Sequence, residues 1–271
     1  MSAAPELDAA ERRRILEVAR AAALEAGAIL MEHFGRLAAG DVGSKDVERD
    51  LVTSADLASE RCLVGRLRAA FPEHAIEAEE EVRDPRDDER PRWFVDPLDG
   101  TTNFVHRLPA FAVSLGLVHR GVPEVGVVHV PRLGETFWAA RGAGAFLDGQ
   151  PLRVSDCARL AEAILATGFP YRRNELAHDN LANFARFFPD VRGLRRMGAA
   201  AVDLAYTAAG RFDGFWELHL APHDVAAGAL LVREAGGSVT DADGGDDWLR
   251  GGHLVAAGPA LIDAIRARVR H

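Results

Sequence analysis

A short segment, Trp93–Phe104, constrains the fold most, because an apolar run is interrupted by two aspartates, a proline and a glycine. The apolar residues predict a strand that ends at Asp96, since Pro97 has no amide hydrogen for ladder pairing. Asp99 follows three residues later, and Gly100 begins a predicted turn or short helix. Carboxylates and a main-chain carbonyl at a strand end are hard oxygen ligands suited to Mg²⁺, and a glycine lets backbone N–H groups approach an anion. The structural alternative is an Asp-Pro turn followed by an Asp-Gly turn.

Two further acidic features lie elsewhere in the chain. Glu79 and Glu80 follow a short apolar segment, and Asp224 begins a segment with a helical pattern. By itself, the glutamate pair is typical of a solvated loop, and Asp224 is typical of a helix N-cap. Each could also direct carboxylate oxygens toward a metal, so both interpretations stay open for these features.

The charge balance limits the kind of ligand. Asp and Glu number 41 against 32 Lys and Arg, which gives a formal net charge of −9 over 271 residues. Nucleic-acid-binding proteins usually show a basic excess or a basic stripe, so we expect no direct nucleic-acid partner. An anionic substrate would instead need bound cations to neutralise it.

The chain is predicted to be cytoplasmic and not associated with a membrane. Cys62 and Cys157 stand far apart and suggest neither a disulfide framework nor a zinc site. The stretch from Met1 to Arg14 lacks the apolar region of a signal peptide. No segment approaches the ~20 apolar residues that a membrane span needs.

A single domain over 1–271 is predicted, with an α+β part over 1–155 and an α/β part over 156–271. A hydrophobic fraction of 48% suits a sizeable core. Helical spacing predicts helices over Ala9–Phe34, Ser54–Ala70, Leu176–Phe188, Ala199–Gly210 and Asp224–Ala235. Runs of Val, Phe and Trp between turn residues predict strands over Arg92–Asp96, Ala112–His119, Glu124–Val130, Thr136–Ala140, Ile164–Gly168, Gly214–Leu218 and His253–Ala257.

Several strings together resemble the inositol monophosphatase family, within the superfamily of lithium-sensitive, magnesium-dependent phosphatases. They are Asp50-Leu-Val-Thr-Ser-Ala-Asp56, Glu79-Glu80, Asp96-Pro-Leu-Asp-Gly-Thr-Thr-Asn-Phe104, His223-Asp-Val-Ala-Ala-Gly228 and Glu234-Ala-Gly-Gly237. They occur in the family order, and the resemblance covers about Asp46 to Gly258. It implies a layered αβαβα sandwich of the inositol monophosphatase and fructose-1,6-bisphosphatase type, usually a homodimer.

The resemblance also implies a metal centre of two or three Mg²⁺ ions, with Mn²⁺ as an alternative and Li⁺ as an inhibitor. Glu79, Asp96 and the carbonyl of Leu98 would hold the first metal. Asp96, Asp99 and Asp224 would hold the second. Two ions ~3.5–4 Å apart can clamp both the entering and the leaving oxygen of a phosphate ester.

The same resemblance assigns residues to catalysis and to the substrate. Glu79 and Thr101 would orient the attacking water. Asp56 is also assigned to catalysis, on a mobile N-terminal loop that carries Lys45. The residues assigned to the substrate are Asp99, Gly100, Thr101, Ala200, Glu217, His223 and Asp224.

Two positions depart from the family pattern. His223 stands where the family usually has tryptophan, and Ala78 where it usually has glycine. Neither changes a metal ligand, but His223 alters the wall near the leaving group. Its imidazole could simply pack at the helix entry, or it could contact the substrate and tune the pH dependence.

The implied function is Mg²⁺-dependent hydrolysis of inositol monophosphate or a similar polyol phosphate, by in-line attack of a metal-activated water. Histidinol-phosphate, fructose-1,6-bisphosphate and 3′-phosphoadenosine phosphatases of the same superfamily are alternatives. The string Asp99–Phe104 is closer to the inositol branch than to the nucleotide branch, which tends to Asp-Gly-Thr-Lys-Glu-Phe. Arg195 and Arg196 could contact an anionic substrate, although such pairs are usually solvated. An alternative from another class is a regulatory interaction with the transcription machinery.

Overall fold

The fold is known from a computed structural model that describes residues 6–45, 47–86 and 89–271. Met1 to Pro5 and Asp46, which belong to the predictions on the N-terminus and on the extent of the resemblance, lie outside the described residues. The α-helices are α1 Ala9–His33, α2 Ser54–Ala70, α3 Thr101–Val105, α4 Leu181–Phe187, α5 Ala200–Ala208, α6 Pro222–Glu234 and α7 Ile262–Arg266. The strands are β1 Val42–Ser44, β2 Leu51–Thr53, β3 Ala75–Ala78, β4 Arg92–Asp99, β5 Ala112–His119, β6 Val122–Val130, β7 Glu135–Ala140, β8 Gly144–Leu147, β9 Gln150–Pro151, β10 Ile164–Thr167, β11 Gly193–Arg195, β12 Gly214–Glu217, β13 Ser238–Thr240 and β14 Leu254–Ala257.

A large sheet contains strands β3 to β9 in chain order. The pair β3–β4 is parallel, and the pairs that follow are antiparallel. Tight turns connect the last of these strands, where Gly142, Asp148 and Gly149 adopt positive φ. Helices α1 and α2 pack on one face of this sheet and α6 on the other.

A second, smaller sheet has the order β11-β10-β12-β14-β13. Strand β10 runs parallel to both of its neighbours, and β14 is antiparallel to β12 and β13. Helices α5 and α6 lie between the two sheets, while α4 and α7 cover the outer face of the smaller one. The layers therefore follow the order αβαβα, which confirms the predicted architecture. No helix of the described ranges combines the length and the apolar character that a membrane crossing requires.

Close packing fixes the position of α6 on the large sheet. A Cβ added at Gly116 would lie 2.5 Å from Ala226 Cβ, and one at Gly126 would lie 2.8 Å from the carbonyl oxygen of Ala227. Only glycines on the strands, opposite alanines on the helix, allow the backbones to approach this closely. The first turn of α6 is consequently held over the end of β5, next to the end of β4.

Strand β4 does not end at Asp96 as predicted. Asp96 pairs with Ser114 and Asp99 pairs with Ala112, so three steps on β4 oppose two on β5. Pro97, which cannot donate to the ladder, sits in the resulting β-bulge, and pairing resumes beyond it. The bulge lets one strand end present both aspartates.

Two predicted helix starts are also wrong. Helix α4 begins at Leu181 rather than Leu176, because Asn180 has a φ of +74° and Asp179 accepts the N–H of Leu181 at 3.0 Å. Helix α6 begins at Pro222 rather than Asp224. Proline suits a first helical position because its missing N–H would have no helical partner there.

Candidate active site

Asp96 and Asp99 lie at the bulged end of β4. The N–H of Leu98 donates to Asp96 Oδ1 at 3.0 Å. Asp99 accepts N–H bonds from Ala200 at 3.2 Å and from Ala201 at 2.7 Å, at the first turn of α5. Asp99 therefore joins the end of a strand of the large sheet to α5, which lies between the two sheets.

Glu79 and Glu80 directly follow β3. The N–H of Glu79 donates to the carbonyl of Val95 at 3.0 Å, which ties the pair to β4. Lys45, between β1 and β2, places its ammonium 2.6 Å from Glu79 Oε1 and 2.7 Å from Glu80 Oε1. The unusual alanine at position 78 is accommodated as a buried residue of β3.

Asp224 lies in the first turn of α6. Its Oδ2 accepts the N–H of Ala221 at 2.6 Å, so the carboxylate does cap the helix. Its Oδ1 is 3.7 Å from Nε2 of His223, whose side chain is only 13% exposed. The imidazole thus packs at the helix entry against Asp224, which leaves the second carboxylate oxygen unused by the cap.

The buried carboxylates at this junction repel one another. Burial raises the pKa of Asp96 well above its ordinary value, and the charges that add to this shift belong to Glu79, Asp99 and Asp224. Burial, followed by the charge of Asp224, raises the pKa of Asp99 to about 8. Burial also raises the pKa of Asp224, against the opposing charge of His223. A cation bound among them would favour their charged forms.

Glu79 differs from its neighbours. Burial acts to raise the pKa of Glu79, but the charges of His223 and Lys45 outweigh burial, so the pKa is lowered. A hydrogen bond between Glu79 and Asp96 also lowers it. The same hydrogen bond adds to the rise in the pKa of Asp96.

The possible metal ligands at this junction are carboxylate oxygens and the Leu98 carbonyl. Such oxygen ligands are the ones that Mg²⁺ prefers, so they suit a hard divalent cation. The ammonium of Lys45 already stands in for a cation between Glu79 and Glu80. Within residues 6–45, 47–86 and 89–271, however, no three or more His, Cys, Asp or Glu side chains are arranged so that they could hold a metal ion.

Thr101 and Asp56 form a buried hydrogen-bonded pair. Thr101 Oγ1 is 3.0 Å from Asp56 Oδ1 and 3.1 Å from the carbonyl oxygen of Leu98. Asp56 also accepts the N–H of Thr53 at 2.9 Å and its hydroxyl at 2.5 Å. The predicted loop location of Asp56 is wrong, because this capping box with Thr53 places it in the first turn of α2. Burial raises the pKa of Asp56 to about 6, so its carboxylate can take up a proton near neutrality.

Gly100 precedes α3 with a φ of +90°, which only glycine adopts without strain. A Cβ at this position would lie 3.0 Å from the Ala110 carbonyl oxygen and 3.2 Å from Ala199 Cβ. The turn predicted at Gly100 and the short helix after it are therefore confirmed. The space above the glycine is closed by α5 and its preceding loop.

A cavity of about 340 Å³ opens beside the carboxylates. Four of the residues assigned to the substrate line it, namely Asp99, Ala200, Glu217 and Asp224. Its other walls come from the loop around Tyr171 and from Arg196. Glu79, Asp96, Thr101, Gly100 and His223 are not among its lining residues, so the cavity lies to one side of the carboxylate junction.

Glu217 enters the cavity from the end of β12. A Cβ added at Gly168 would lie only 2.1 Å from Glu217 Oε1, so glycine at position 168 makes room for this carboxylate. Burial, and then the charge of Asp224, raises the pKa of Glu217 to about 8. At neutral pH this carboxyl can both donate and accept hydrogen bonds, as a hydroxyl-rich ligand requires.

Several site residues escaped the sequence analysis. Tyr171 lines the cavity, and its carbonyl accepts a bond of 3.1 Å from Arg49 Nη1. No local pattern distinguishes this tyrosine. Asp203 is fully buried on α5, and burial followed by the charge of Glu217 raises its pKa well above the ordinary value. An aspartate inside an otherwise apolar helix was a signal that could have revealed it.

The two arginines considered for substrate binding are separated by the structure. Arg195 ends β11 and donates to the carbonyl of Leu194 at 3.0 Å. Arg196 lines the cavity and lies over Gly198, where an added Cβ would be 2.4 Å from Arg196 Nη1. Of the pair, only Arg196 stands where a ligand could meet it.

Known proteins share this sequence and fold. Nus factor SuhB of Pseudomonas aeruginosa is 44% identical over 262 residues, which cover 94% of this chain and 96% of the relative. Nus factor SuhB of Escherichia coli K12 is 42% identical over 256 residues, with the same coverage of 94% and 96%. The solved inositol monophosphatase from Anabaena (Nostoc) has a TM-score of 0.86 at 40% identity, covering 94% of this chain and 95% of its own. The Thermotoga maritima IMPase has a TM-score of 0.84 at 35% identity, covering 94% and 96%.

The family assignment follows from the extent of the match. The sequence profile of the inositol monophosphatase family matches residues 11–271, which contain every predicted site residue. The chain belongs to the inositol monophosphatase family.

Proposed function

We propose that this protein is a Mg²⁺-dependent phosphatase for a small phosphate monoester, inositol monophosphate or a similar polyol phosphate. One observation carries the proposal. The buried carboxylates Asp96, Asp99 and Asp224 meet with Glu79 at one junction, where burial is the largest influence on each pKa and the charge of a neighbouring acid or cation is the next. Such crowding of acids without matching arginines is typical of a site for a divalent cation.

In the proposed mechanism, Glu79, Asp96 and the Leu98 carbonyl would hold one ion. Asp96, Asp99 and Asp224 would hold a second. Such ions would neutralise the phosphate dianion and lower the pKa of a coordinated water. The chain's own residues must then supply orientation and a route for the proton.

Thr101 and Asp56 supply that route. The Thr101 hydroxyl donates to Asp56 Oδ1 across 3.0 Å, which leaves the Thr101 oxygen free to accept a proton from water. The pKa of Asp56, raised to about 6 by burial, lets its carboxylate receive the Thr101 proton in turn. Glu79 would orient the same water together with Thr101, as the family resemblance implies.

The size and the lining of the cavity suit a small polar leaving group. Its volume of about 340 Å³ is at the low end for small-molecule sites, and Glu217 offers hydrogen bonds to hydroxyls. Ala200, with its short side chain, lines the same cavity as Glu217. Histidinol phosphate, fructose 1,6-bisphosphate and 3′-phosphoadenosine 5′-phosphate remain the alternatives, because fold and metal ligands do not select among leaving groups.

The test is phosphate release from inositol 1-phosphate, those three alternatives and glycerol 2-phosphate, with Mg²⁺ and with EDTA. We expect Mg²⁺-dependent release that is lost in Asp224→Asn. Release should be kept in Asp263→Asn, because Asp263 is an exposed aspartate on α7 outside the site. The substrate with the highest kcat/KM identifies the branch. Absence of release from every compound by folded protein with Mg²⁺ would contradict the proposal.

A second function is supported by the name that the curated relatives carry. Two relatives above 40% identity are called Nus factor SuhB, and we propose a regulatory contact with the transcription machinery alongside catalysis. The test is co-purification of RNA polymerase with the tagged protein from its host. Retention of polymerase by Asp96→Asn would separate this role from phosphate release, and failure to retain polymerase with the unmodified protein would count against it.

We also propose that the protein is a cytoplasmic homodimer, built from one domain per chain. Cys62 and Cys157 are both free thiols, which supports a reducing compartment. Sedimentation analysis at micromolar concentration tests the dimer, and a mass equal to one chain would contradict it.

A further inference from the structure

One face of α2 carries three buried polar side chains that all point toward the carboxylate junction. Asp56, Ser59 and Glu60 have the spacing i, i+3 and i+4, which places them on the same side of a helix. Their relative exposures are 0%, 0% and 1%. Asp56 holds Thr101, but Ser59 and Glu60 have no role in the proposed chemistry.

Glu60 holds the segment that follows the metal-ligand candidate Glu79. Its Oε2 accepts the N–H of Glu80 at 2.8 Å. Its Oε1 accepts the N–H of Glu81 at 2.8 Å and of Val82 at 3.0 Å. Three consecutive backbone N–H groups therefore converge on one carboxylate, each as a charge-assisted hydrogen bond.

Ser59 holds the other ligand segment. Its hydroxyl donates to the carbonyl of Pro97 at 2.8 Å. Pro97 lies in the bulge of β4 between Asp96 and Asp99, where no regular ladder bond fixes the backbone. This contact and those of Glu60 join the two segments to one helix.

We infer that Ser59 and Glu60 are positioning residues that set the affinity of the carboxylate junction for Mg²⁺, by fixing the backbone next to Glu79 and Asp96. This inference rests on the proposed function. Each residue bonds to backbone that directly adjoins a proposed metal ligand, Glu60 at Glu80 and Ser59 at Pro97, so each constrains where that ligand is presented. Partners that orient metal ligands typically change metal affinity about 10- to 100-fold when they are replaced.

The competing explanation is that Glu60 only stabilises the fold, as any well-bonded buried carboxylate does. The chain offers a matched control in Glu124 on β6, which is 2% exposed. Its carboxylate is bonded to Arg12 and Arg141 and touches no segment that carries a proposed metal ligand. A glutamate-to-glutamine change removes one buried charge in either place.

The experiment measures Mg²⁺ binding to metal-free protein by isothermal titration calorimetry, for the unmodified chain, Glu60→Gln, Ser59→Ala and Glu124→Gln. Thermal unfolding is recorded for each in EDTA. We expect the dissociation constant for Mg²⁺ to rise about 10- to 100-fold in Glu60→Gln and by a smaller factor in Ser59→Ala. Glu124→Gln should bind Mg²⁺ within about twofold of the unmodified chain. In phosphate release, Glu60→Gln should need more Mg²⁺ for half-maximal rate yet recover kcat at saturating Mg²⁺.

The outcomes separate this role from the function on which it rests. Unchanged Mg²⁺ binding in folded Glu60→Gln and Ser59→Ala would overturn the positioning role and leave the proposed function intact. Equal weakening in Glu60→Gln and Glu124→Gln would also overturn it, because the effect would then follow general stability. No Mg²⁺ binding by the unmodified chain would overturn the proposed function and this inference together. If Glu60→Gln does not fold, Ser59→Ala alone decides between these results.

Discussion

Two buried carboxylate sites in this protein differ in what surrounds the carboxylate: basic side chains at Glu124 and other acids at Asp96. The Glu124 carboxylate accepts a hydrogen bond from Arg12 Nη1 at 2.9 Å. Arg141 also contacts it, through Nε at 3.0 Å and through Nη2 at 3.0 Å. Asp96 is as deeply buried, but its neighbours are other acids and its carboxylate accepts the N–H of Leu98. The first arrangement satisfies the charge internally, and the second leaves charge that a ligand must balance.

The type of basic side chain also differs between the two sites. Of the 32 basic residues, 31 are arginines and the single lysine is Lys45. Arginine forms rigid, forked pairs with carboxylates, whereas a lysine ammonium is a compact charge on a flexible stem. The chain therefore uses arginine where a carboxylate is to stay paired, and its one lysine where a carboxylate would exchange its partner for a metal.

The largest effect is expected from Asp96→Asn. Phosphate release should fall by ~10³-fold, about 4 kcal/mol at 1.36 kcal/mol per tenfold change, because a ligand shared by both proposed ions is lost. The metal-free protein should not be destabilised, since a neutral amide avoids both the burial of a charge and the repulsion from neighbouring acids that raise the pKa of Asp96. Urea unfolding in EDTA and phosphate release in Mg²⁺ measure the two effects. A variant that is both inactive and strongly destabilised would break the comparison.

Glu124→Gln should show the reverse pattern. Replacing the carboxylate weakens the bonds of two arginines that partly depend on it, and we expect a loss of about 2–3 kcal/mol in the free energy of unfolding. Phosphate release per folded molecule should stay within about twofold. Chemical denaturation combined with activity at a temperature well below the transition measures this, and lost activity in the folded variant would contradict it.

His74 is a third kind of buried titratable group, because it is kept neutral. Burial lowers the pKa of His74 to about 4 from 6.5, and its Nδ1 accepts the indole N–H of Trp93 at 3.2 Å. Between pH 6.5 and about 4, the unfolded chain binds a proton that the folded chain excludes, so stability falls as the pH falls. The loss from this residue should be about 2 kcal/mol at 1.36 kcal/mol per pKa unit, allowing for partial solvation.

Comparison with His74→Asn isolates that contribution. The asparagine oxygen can still accept from Trp93 but does not titrate in this range. The difference in unfolding free energy between the two proteins should shrink as the pH is lowered from 7 to 4. A constant difference across this range would show that His74 does not carry the effect.

The smallest effect is expected at Lys45. Lys45→Met removes the ammonium that competes for Glu79, and Mg²⁺ should bind about three- to tenfold more tightly by calorimetry. Lys45→Arg keeps the charge and should not bind Mg²⁺ more tightly. Weaker binding in Lys45→Met would mean that the lysine supports the metal-bound state instead of competing with it.

The sequence predicted the parts of the site whose residues are contiguous. Asp96, Asp99 and Gly100 stand in one string, so their type and spacing alone indicate a strand end followed by a glycine turn. The layered fold was predicted through the resemblance that such strings carry. The bulge at Pro97 was not, because it depends on the register with β5, which a single strand does not reveal.

Contacts between distant segments could not be predicted. Glu60 bonds to backbone groups 20 to 22 residues away, and backbone donors leave no mark in the side-chain pattern. The late start of α4 depends on Asn180, which bonds to Thr167 and to the indole N–H of Trp216. The helical periodicity from Leu176 onward contains no sign of that buried network.

The close contact of α6 with the large sheet has a consequence for how this protein tolerates change. Ala226 and Ala227 touch Gly116 and Gly126 through atoms that no rotamer can move, so the height of Asp224 above β5 is set by backbone spacing. Substitutions at exposed positions on other elements of the fold can accumulate without altering that height. One methylene added where α6 contacts these two glycines, far from any reacting atom, would lift the helix. The separation of the proposed metal ligands would then change. This contact between α6 and the large sheet should therefore tolerate substitution least, although it contains no chemically reactive group.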